Sequence, residues 1–449
     1  MYVKELPERG DTLRMDRTGE PLEVGQRVGE GAQGVVHRAS LGSGASLALK
    51  WYRRTTDTPA QRSAIKELTS RPCPHPAFLF PIDTVTSPNI GGFGYVMPWM
   101  DKRFSTFAQV VNDPQPLGLQ TKARIGRKLS EAFGALHAAG LCYRDINFGN
   151  LWVDPLRGDI AILDNDNVGI DDGHVAVWGV LRFMAPEVIR REKKPSTITD
   201  LHSLAVLLFY LLMHGHPLDG RRVEAGFTWD GQRRTDEELA LLYYGQAPLF
   251  VFDPDDDSNR PIAGDGPERW WPIYPKFVQR QFVQAFTQGL SDATLGGRVL
   301  SNTWRDTFVA LSDLCAVCPH CTAAIVLDPA EPERRCWHCN RVMPKLPSLR
   351  LRGGRSTVLL VPNAMVSNAH LGVDRDFDTA AAIVEVHPRV PSGVVLRNKS
   401  TTAWFAQPTG EEARLVEPGQ AFAVRPGTIN FGTARGEITV PPQDTAAQL

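Results

Sequence analysis

Four short motifs follow one another along this chain of 449 residues, and their order constrains the fold more than any other feature. They are a glycine loop, a lysine strand, an aspartate loop closed by asparagine, and a proline turn: Gly29-Glu30-Gly31-Ala32-Gln33-Gly34, Ala48-Leu49-Lys50, Tyr143-Arg144-Asp145-Ile146-Asn147-Phe148-Gly149-Asn150 and Ala185-Pro186-Glu187. Glycines let backbone amides approach a phosphate, while lysine, aspartate and asparagine supply a cation and oxygen donors. The set predicts one phosphate-handling site assembled from distant parts of the chain.

The distribution of apolar residues predicts an α+β protein of several domains. Short apolar runs and glycine turns at the start are typical of an antiparallel sheet with one helix, Pro59 to Ser70. Helical spacing follows, and the last part returns to short strands broken by Pro, Gly and Asn, as in a β-sandwich. The predicted boundaries are 1–21 for an N-terminal extension, 22–101 for the sheet, 102–313 for the helical half, 314–345 for a cysteine segment and 349–442 for the sandwich.

Composition gives expectations about partners and compartment. The formal net charge of -1 offers no electrostatic argument for nucleic acid or an anionic membrane as a partner. The longest apolar run, Leu204 to Met213, is too short to span a bilayer and predicts a buried helix. Residues 1–17 lack the apolar core of a secretory signal. Because most of the 7 cysteines lie between Cys315 and Cys339, a metal site in a reducing compartment is expected, so we predict a cytoplasmic protein.

The order of motifs, with a small sheet before a larger helical half, resembles a protein kinase domain of the serine/threonine type. That resemblance implies two lobes, bound ATP with Mg²⁺, and transfer of the γ-phosphate to Ser or Thr of a protein substrate. Asp219-Gly220 and Ser258-Asn259-Arg260-Pro261 further resemble bacterial kinases associated with tellurite-resistance stress loci. This likeness implies a cognate phosphatase and a von Willebrand factor A-type protein as partners.

Lys50 stands in an apolar strand, where burying an unpaired ammonium is costly. Glu67 on the following helix is its predicted partner, and the alternative is that both side chains are solvated. Within the resemblance, Lys50 holds the α- and β-phosphates, and Pro98 of the hinge offers adenine only a carbonyl while Met100 offers an amide. The predicted ATP-binding residues are Val28, Gly29, Glu30, Gly31, Ala32, Gln33, Gly34, Val36, Ala48, Lys50, Glu67, Met97, Pro98 and Met100.

The aspartate loop carries the most specific signal in the chain. Within the kinase resemblance, Asp145 orients the substrate hydroxyl and accepts its proton, so Asp145 and Lys50 are the predicted catalytic residues. Asn150 and Asp164, which ends a short apolar strand, are the predicted Mg²⁺ ligands. Asp166 is the rival metal ligand. The structural alternative is a pair of acidic turns that follow strands.

Three further residues resemble the frame of a kinase helical lobe. Asp200, at the start of the apolar helix, resembles the residue that braces the catalytic loop. Glu187 and Arg298 resemble a buried ion pair that ties the lobe together. Ordinary surface charges are the alternative for all three.

The cysteine segment contains two Cys-x-x-Cys pairs. Cys318, Cys321, Cys336 and Cys339 have the spacing of a tetrahedral, structural Zn²⁺ site, in the manner of a zinc ribbon. Free cysteines or a redox pair are the alternative. Cys315 is predicted to stay outside the site.

The last part of the chain, from Val394 to Phe431, resembles the closing strands of a forkhead-associated domain. Arg352, Arg355 and Ser367 are the nearest candidates for that family's phosphothreonine-binding residues. A β-sandwich that docks proteins without reading phosphate is the favoured interpretation.

Departures from the kinase pattern define the alternative function. Asn147 stands where serine/threonine kinases carry a lysine beside the transferred phosphate, and a loop without that cation predicts slow turnover. Between Asp166 and Pro195 there is no Ser, Thr or Tyr, so phosphorylation of that segment cannot activate the protein. The alternative is a nucleotide-binding pseudokinase scaffold that presents the zinc ribbon and the sandwich to partner proteins.

Overall fold

The computed structural model describes residues 4–31, 33–113, 117–170, 178–226, 228–229, 232–328, 330–331, 334–390 and 392–442. Its contacts divide the chain into two compact units, residues 1–117, 124–271 and 279–305 in the first and residues 118–123, 272–278 and 306–449 in the second. Within these described ranges, no helix is both long enough and apolar enough to cross a lipid bilayer.

Six strands of the first unit close into an antiparallel barrel in the order β1-β2-β3-β4-β6-β5. Alternating side chains fill it with an apolar core that includes Leu22, Val24, Leu49 and Trp51. The elements of this part are β1 (Thr12–Met15), β2 (Pro21–Glu30), β3 (Gly34–Leu41), β4 (Ser46–Tyr52), α1 (Pro59–Thr69), β5 (Asp83–Thr86) and β6 (Phe93–Pro98).

The sheet begins earlier than the sequence predicted. Residues 1–21 were expected to form a separate extension, but β1 pairs with both β2 and β5 and completes the barrel. The physical reason is a short alternation in which Leu13 and Met15 point into the core while their neighbours are exposed. The predicted helix is confirmed as α1, with Thr58 as its N-cap and Pro59 at its first turn.

The helical half follows the barrel and contains several short two- and three-stranded sheets. A π-helix, Leu241–Gln246, and the 3-10 helices Asn165–Asn167 and Trp271–Ile273 accompany its regular elements. These are β7 (Ser105–Thr106), α2 (Phe107–Val111), α3 (Leu119–Ala138), β8 (Leu141–Cys142), β9 (Leu151–Val153), β10 (Ile160–Ile162), β11 (Gly169–Ile170), α4 (Pro186–Ile189), α5 (Thr197–Met213), α6 (Arg221–Gly226), β12 (Thr228–Trp229), β13 (Gln232–Arg233), α7 (Asp236–Ala240), α8 (Gly266–Trp270), α9 (Lys276–Phe286), α10 (Gln288–Ser291) and α11 (Ser301–Asp313).

Helix α5 is buried around most of its circumference, which confirms the prediction for the run Leu204 to Met213. Its N-terminus is fixed by a capping box in which Ser196 and Thr199 exchange side-chain and backbone hydrogen bonds. The helix therefore starts at a defined residue, and its first turn places Asp200 at a fixed position in the lobe.

The second unit is rich in strands, as the sequence predicted. A hairpin of β14 (Cys315–Val317) and β15 (Ala324–Val326) precedes a six-stranded sheet, β17-β16-β25-β24-β21-β22, and a four-stranded sheet, β18-β19-β20-β23. One apolar cluster takes residues from both sheets, including Leu349, Val384, Leu396 and Ile438. The elements are β16 (Ser348–Leu351), the 3-10 helix Arg352–Gly354, β17 (Ser356–Leu359), β18 (Met365–Ser367), α12 (Asn368–Leu371), β19 (Ala380–Val386), β20 (Val394–Asn398), β21 (Trp404–Pro408), β22 (Arg414–Val416), β23 (Ala421–Ala423), β24 (Gly427–Asn430) and β25 (Arg435–Thr439).

Candidate active site

Asp200, in the first turn of α5, holds the loop between β8 and β9 through hydrogen bonds to the loop backbone. One carboxylate oxygen accepts the backbone N–H of Tyr143 at 2.6 Å, and the other accepts that of Arg144 at 3.0 Å. His137 contacts the same carboxylate at 3.2 Å. Arg144 has φ of 71°, a conformation that is costly for a residue with a side chain and persists only where surrounding contacts impose it. The predicted bracing role of Asp200 is confirmed.

Asp145 lies at the centre of a set of amide donors. Its carboxylate accepts hydrogen bonds from the side-chain amides of Asn147 and Asn150, both at 3.0 Å, and Asn167 lies at 3.5 Å. Burial raises the pKa of Asp145, and the hydrogen bonds from Asn150 and Asn147 act against that rise. An oriented, half-desolvated carboxylate of this kind is suited to accept a proton from a hydroxyl.

Asn147 has a local function that the sequence did not reveal. Its amide nitrogen donates to the backbone carbonyl of Asp145 as well as to the carboxylate, and its oxygen accepts the backbone N–H of Gly149 at 2.8 Å. Asn147 therefore fixes the shape of the loop and the direction of the carboxylate.

Strands β9 and β10 bring the two predicted metal ligands to one edge. The strands pair antiparallel, and beyond their last paired residues the N–H of Leu163 donates to the carbonyl of Asn150 at 2.8 Å. The next residue, Asp164, has φ of 49° and a carboxylate that is 48% exposed. Because the Asn150 amide nitrogen donates to Asp145, its side-chain oxygen is the atom that it offers to a ligand.

These donors fit a magnesium ion, which prefers carboxylate, amide and water oxygens. Asn150 and Asp164 would hold the ion, and the exposed face of the Asp164 carboxylate leaves room for water and phosphate oxygens. Tyr143 adds a link between the loops, since its buried hydroxyl donates to the carbonyl of Leu163, directly before Asp164.

Lys50 extends from β4 toward two carboxylates, the buried one of Asp166 and the half-exposed one of Asp164. Its ammonium donates to the two carboxylate oxygens of Asp166 at 2.8 and 3.0 Å and to Asp164 at 3.3 Å. Burial acts to lower the pKa of Lys50, but the charges of Asp166 and Asp164 outweigh it, so the pKa is raised. The amine stays a cation in the interior.

The predicted pairing of Lys50 with Glu67 is corrected by this geometry. Glu67 stands near the end of α1 with its carboxylate 47% exposed, and it pairs at 2.8 Å with Arg71, which lies just beyond the helix. In this structure the buried ammonium has Asp166 as its partner, because that carboxylate is inside the cleft whereas Glu67 faces solvent.

Two tyrosines complete the cluster, and the sequence analysis missed both. The Tyr52 hydroxyl donates to one oxygen of Asp166, and the Tyr95 hydroxyl lies 3.3 Å from the other. A signal existed, since Tyr52 is two residues after Lys50 on the same strand face and Tyr95 sits opposite Lys50 in the β4–β6 register. Nothing in the local pattern indicated that Asp166 would reach them.

The three loop glycines have different roles. Side-chain carbons at Gly29 and Gly31 would meet open space or one ordinary contact, so the backbone there is accessible to a ligand. A side chain at Gly34 would overlap the backbone of Trp51, so this glycine is required by strand packing. Glu30 pairs with Arg27 and Arg53. Ala32 lies outside the described residues.

The remaining predicted ATP-binding residues lie in the glycine loop, in the barrel strands beside it, and directly after β6. Val28 is exposed, Val36 and Gln33 are half-buried, and Ala48 pairs with Met97 in the β4–β6 register. Pro98 ends β6, and Met100 follows it in a half-buried position. Whether they contact adenine stays a prediction.

The predicted ion pair of the helical half is confirmed. Arg298 donates to both carboxylate oxygens of Glu187 at 2.7 and 2.8 Å, and both side chains are buried. The guanidinium also contacts His202 of α5 at 3.0 Å. This pair connects the start of α4 to the segment that precedes α11 and to α5.

The four predicted zinc ligands converge in the second unit. Their sulfur atoms all lie within 4.8 Å of one another, with Cys318 3.7 Å from Cys339 and Cys321 3.5 Å from Cys336. Thiolates bound tetrahedrally at about 2.3 Å stand about 3.8 Å apart, so the arrangement fits Zn²⁺. Cys315 is buried on β14 outside the cluster, and burial raises its pKa to about 11.

Comparisons with known proteins agree with this geometry. The family model described as protein kinase domain matches residues 22–237. Ribosomal protein S6 kinase alpha-4 of Mus musculus is 26% identical over 191 residues, 40% of this chain and 23% of that protein. Serine/threonine-protein kinase AfsK of Streptomyces coelicolor is 26% identical over 204 residues, 44% of this chain and 25% of that protein.

The AfsK of Streptomyces griseus is 25% identical over 207 residues, again 44% of this chain and 25% of that protein. The matched part thus spans about a quarter of the length of these relatives. The match begins at the second barrel strand and includes Lys50, Asp145, Asn150 and Asp164. Residues 22–237 therefore match the protein kinase domain model and are similar at low identity to serine/threonine kinases.

Proposed function

We propose that this chain transfers the γ-phosphate of Mg·ATP to the hydroxyl of Ser or Thr in a protein substrate. The observation that carries the proposal is the convergence of four predicted residues from separate segments. The Asp145 carboxylate accepts a hydrogen bond from the Asn150 side chain. The Asn150 backbone carbonyl accepts one from the N–H of the residue before Asp164. The Asp164 carboxylate in turn contacts the Lys50 ammonium. A cation, two metal-ligand oxygens and a candidate base thus belong to one connected set.

The chain's own residues have separate roles in this proposal. Asp145 orients the substrate hydroxyl and takes its proton, and Asn147 keeps the carboxylate in that direction. Lys50 offers positive charge to the phosphates, and Asn150 with Asp164 holds the metal. When bound, Mg²⁺ neutralises charge on the transferring phosphate.

Phosphate transfer with labelled ATP tests the proposal. Purified protein is incubated with γ-labelled ATP, Mg²⁺ and a generic protein acceptor, and label on Ser or Thr is measured for wild type and Asp145→Asn. Transfer should fall at least a hundredfold in Asp145→Asn, because general-base catalysis contributes on that order. Asp236→Asn is the matched control, since Asp236 is exposed at the start of α7.

Equal labelling by wild type and Asp145→Asn would contradict the enzyme assignment. If ATP binds but neither protein transfers label, the chain is a pseudokinase scaffold, the function that the absence of a lysine at position 147 would favour. Nucleotide binding measured on the same samples separates the two outcomes.

The biological setting is a further proposal that rests on the resemblance to bacterial stress kinases. A protein substrate, a cognate phosphatase and a von Willebrand factor A-type protein are the partners that it implies, and the cytoplasmic location stays a prediction. Co-purification from a bacterial host that carries all three genes would test the partners.

For the strand-rich region we propose protein docking without phosphate recognition. The forkhead-associated resemblance offered Ser367, but this side chain is fully buried, caps α12 and bonds to His370. Arg355 is exposed in the turn before β17. A buried hydroxyl that already has partners does not favour a phosphothreonine site. Binding of phosphothreonine peptides lost on Arg355→Ala would contradict this proposal.

A further inference from the structure

We propose that Asp166 is the positioning residue of Lys50, in place of a carboxylate on α1, and that Tyr52 and Tyr95 hold Asp166 in that role. The inference rests on the proposed function, because it assigns the residue that sets the lysine used for phosphate. It departs from the pairing that the sequence predicted, and it changes which part of the chain controls the cleft.

The contacts of Asp166 are saturated by donors. Lys50 reaches both carboxylate oxygens, Tyr52 donates to one of them, and Tyr95 lies 3.3 Å from the other. The side chain of Asp166 is 0% exposed. Hydrogen bonds from two tyrosines and a lysine fix the orientation of this buried carboxylate. The carboxylate in turn fixes the position of the Lys50 ammonium.

The carboxylates of Asp164 and Asp166, which belong to the same loop, have different roles. Asp164 makes one contact of 3.3 Å to Lys50 and keeps a half-exposed carboxylate, whereas Asp166 makes two shorter contacts and is closed off from solvent. Asp166 is therefore the anchor of the lysine, and Asp164 remains available to an incoming cation. The 3-10 turn Asn165–Asn167 fixes the spacing between them.

In this arrangement the carboxylates that contact Lys50 come from the metal loop and not from α1. In a site where a helix carboxylate holds the lysine, movement of the helix changes the position of the ammonium. Here Glu67 pairs with Arg71, which lies just beyond the end of α1, and Lys50 contacts carboxylates of the loop that carries Asp164. The metal loop thus carries both the carboxylate that holds the phosphate lysine and the metal carboxylate, and α1 reaches this arrangement through a hydrogen bond between Gln61 and the Tyr52 hydroxyl and through contacts with the turn Asn165–Asn167.

A double-mutant cycle on unfolding tests the proposal without nucleotide. Lys50→Met is combined with Asp166→Asn and separately with Glu67→Gln, and unfolding constants are measured in denaturant. The effects of Lys50→Met and Asp166→Asn on the unfolding constant should be non-additive by about tenfold or more, because both substitutions remove the same interaction. Lys50→Met with Glu67→Gln should be additive within about twofold.

Asp83→Asn is the matched control in the same barrel. Its buried carboxylate accepts hydrogen bonds from the backbone N–H groups of Arg17 and Thr18 and not from Lys50. The effects of Asp83→Asn and Lys50→Met on the unfolding constant should therefore be additive. Coupling of Lys50 to Glu67 without coupling to Asp166 would overturn the proposal. Because the cycle contains no ATP, its result is independent of whether the protein transfers phosphate.

Nucleotide affinity supplies a second readout and a milder variant. Tyr52→Phe removes one donor to Asp166 and keeps the ring, so the protein should fold, and its Kd and KM for ATP should rise about threefold with kcat nearly unchanged. Glu67→Gln should leave Kd for ATP at the wild-type value. If Tyr52→Phe or Asp166→Asn tightens ATP binding, Asp166 competes with phosphate for the lysine, and the proposal is wrong.

Discussion

At the scale of single residues, Asn147 shapes the loop that carries Asp145. It cannot stabilise charge on a transferring phosphate as a lysine would, but it bonds to the backbone and carboxylate of Asp145 and to Gly149. The loop therefore retains an oriented carboxylate, while no basic residue lies between Asp145 and Asn150. Slow transfer with an intact base is the expected combination.

Replacing Asn147 by alanine tests that interpretation. Loss of the hydrogen bond to the carboxylate should lower kcat for phosphate transfer about tenfold, which corresponds to about 1.4 kcal/mol, and leave the KM for ATP unchanged. Asn167→Ala is the matched control, because Asn167 lies 3.5 Å from the same carboxylate and should have a smaller effect. Equal effects of the two substitutions, or a change confined to the KM for ATP, would contradict it.

Sequence reasoning predicted the proximity of side chains whose positions are set by local spacing. Asp145 and Asn150 lie in one loop, and Asp164 follows directly from a strand that pairs beside that loop. It failed for the partner of Lys50, since Asp166 is 116 residues away and its direction depends on the 3-10 turn after β10. Glu67 had a plausible spacing, but spacing along a helix does not say which face is turned to the cleft.

At the scale of elements, the ion pair of Glu187 and Arg298 connects α4 to the segment before α11. Both side chains are buried, so removal of one charge leaves the other unpaired in the interior. We expect Glu187→Gln to lower the free energy of unfolding by about 3 kcal/mol, measured by urea denaturation. Glu192→Gln, on an exposed pair with Arg190, is the control and should change little. Similar losses from both would be inconsistent with a buried pair.

We expect the four cysteines beside the β14–β15 hairpin to hold one metal ion, because their sulfur atoms lie close together. Zinc analysis of the purified protein should return about one ion per chain, and Cys321→Ala should lose it. Cys315→Ala is the matched control, because Cys315 is buried on β14 outside the four-sulfur cluster and should retain zinc. A zinc content that is unchanged in Cys321→Ala, or lost in Cys315→Ala, would contradict the ligand assignment.

At the scale of the whole molecule, stability should fall on acidification because of buried histidines. Burial lowers the pKa of His216 to about 4; its Nε2–H donates to the carbonyl of Arg182, and its Nδ1 accepts the N–H of Leu218. The unfolded chain binds this proton near pH 6.5 while the folded protein does not, so stability is lost as pH falls below about 6.5.

From pH 7 to pH 5 this histidine alone should cost about 2 kcal/mol. Urea denaturation at the two pH values measures the loss, and His216→Gln should reduce it. His387→Gln, on an exposed turn after β19, is the control and should keep the wild-type difference. If His216→Gln loses as much stability between pH 7 and pH 5 as wild type does, other groups cause the acid sensitivity.

Architecture was predictable where periodicity was long and regular. The strand-rich start, the buried helix α5 and the strand-rich end all follow from apolar patterns that the structure contains. The start of the barrel was missed, because β1 has four residues and only Leu13 and Met15 reveal its inward face. Such a short strand is defined by its pairing with β2 and β5, which one sequence does not show.

Binding of ATP with and without Mg²⁺ is the measurement that tests the central claim most directly. If Lys50, Asn150 and Asp164 converge on one Mg·ATP, wild type should bind ATP at least about tenfold more tightly with Mg²⁺ than in EDTA. That enhancement should disappear in Asp164→Asn, while the affinity in EDTA changes little. Equal affinity of wild type with and without Mg²⁺, or an enhancement that survives Asp164→Asn, would contradict the account.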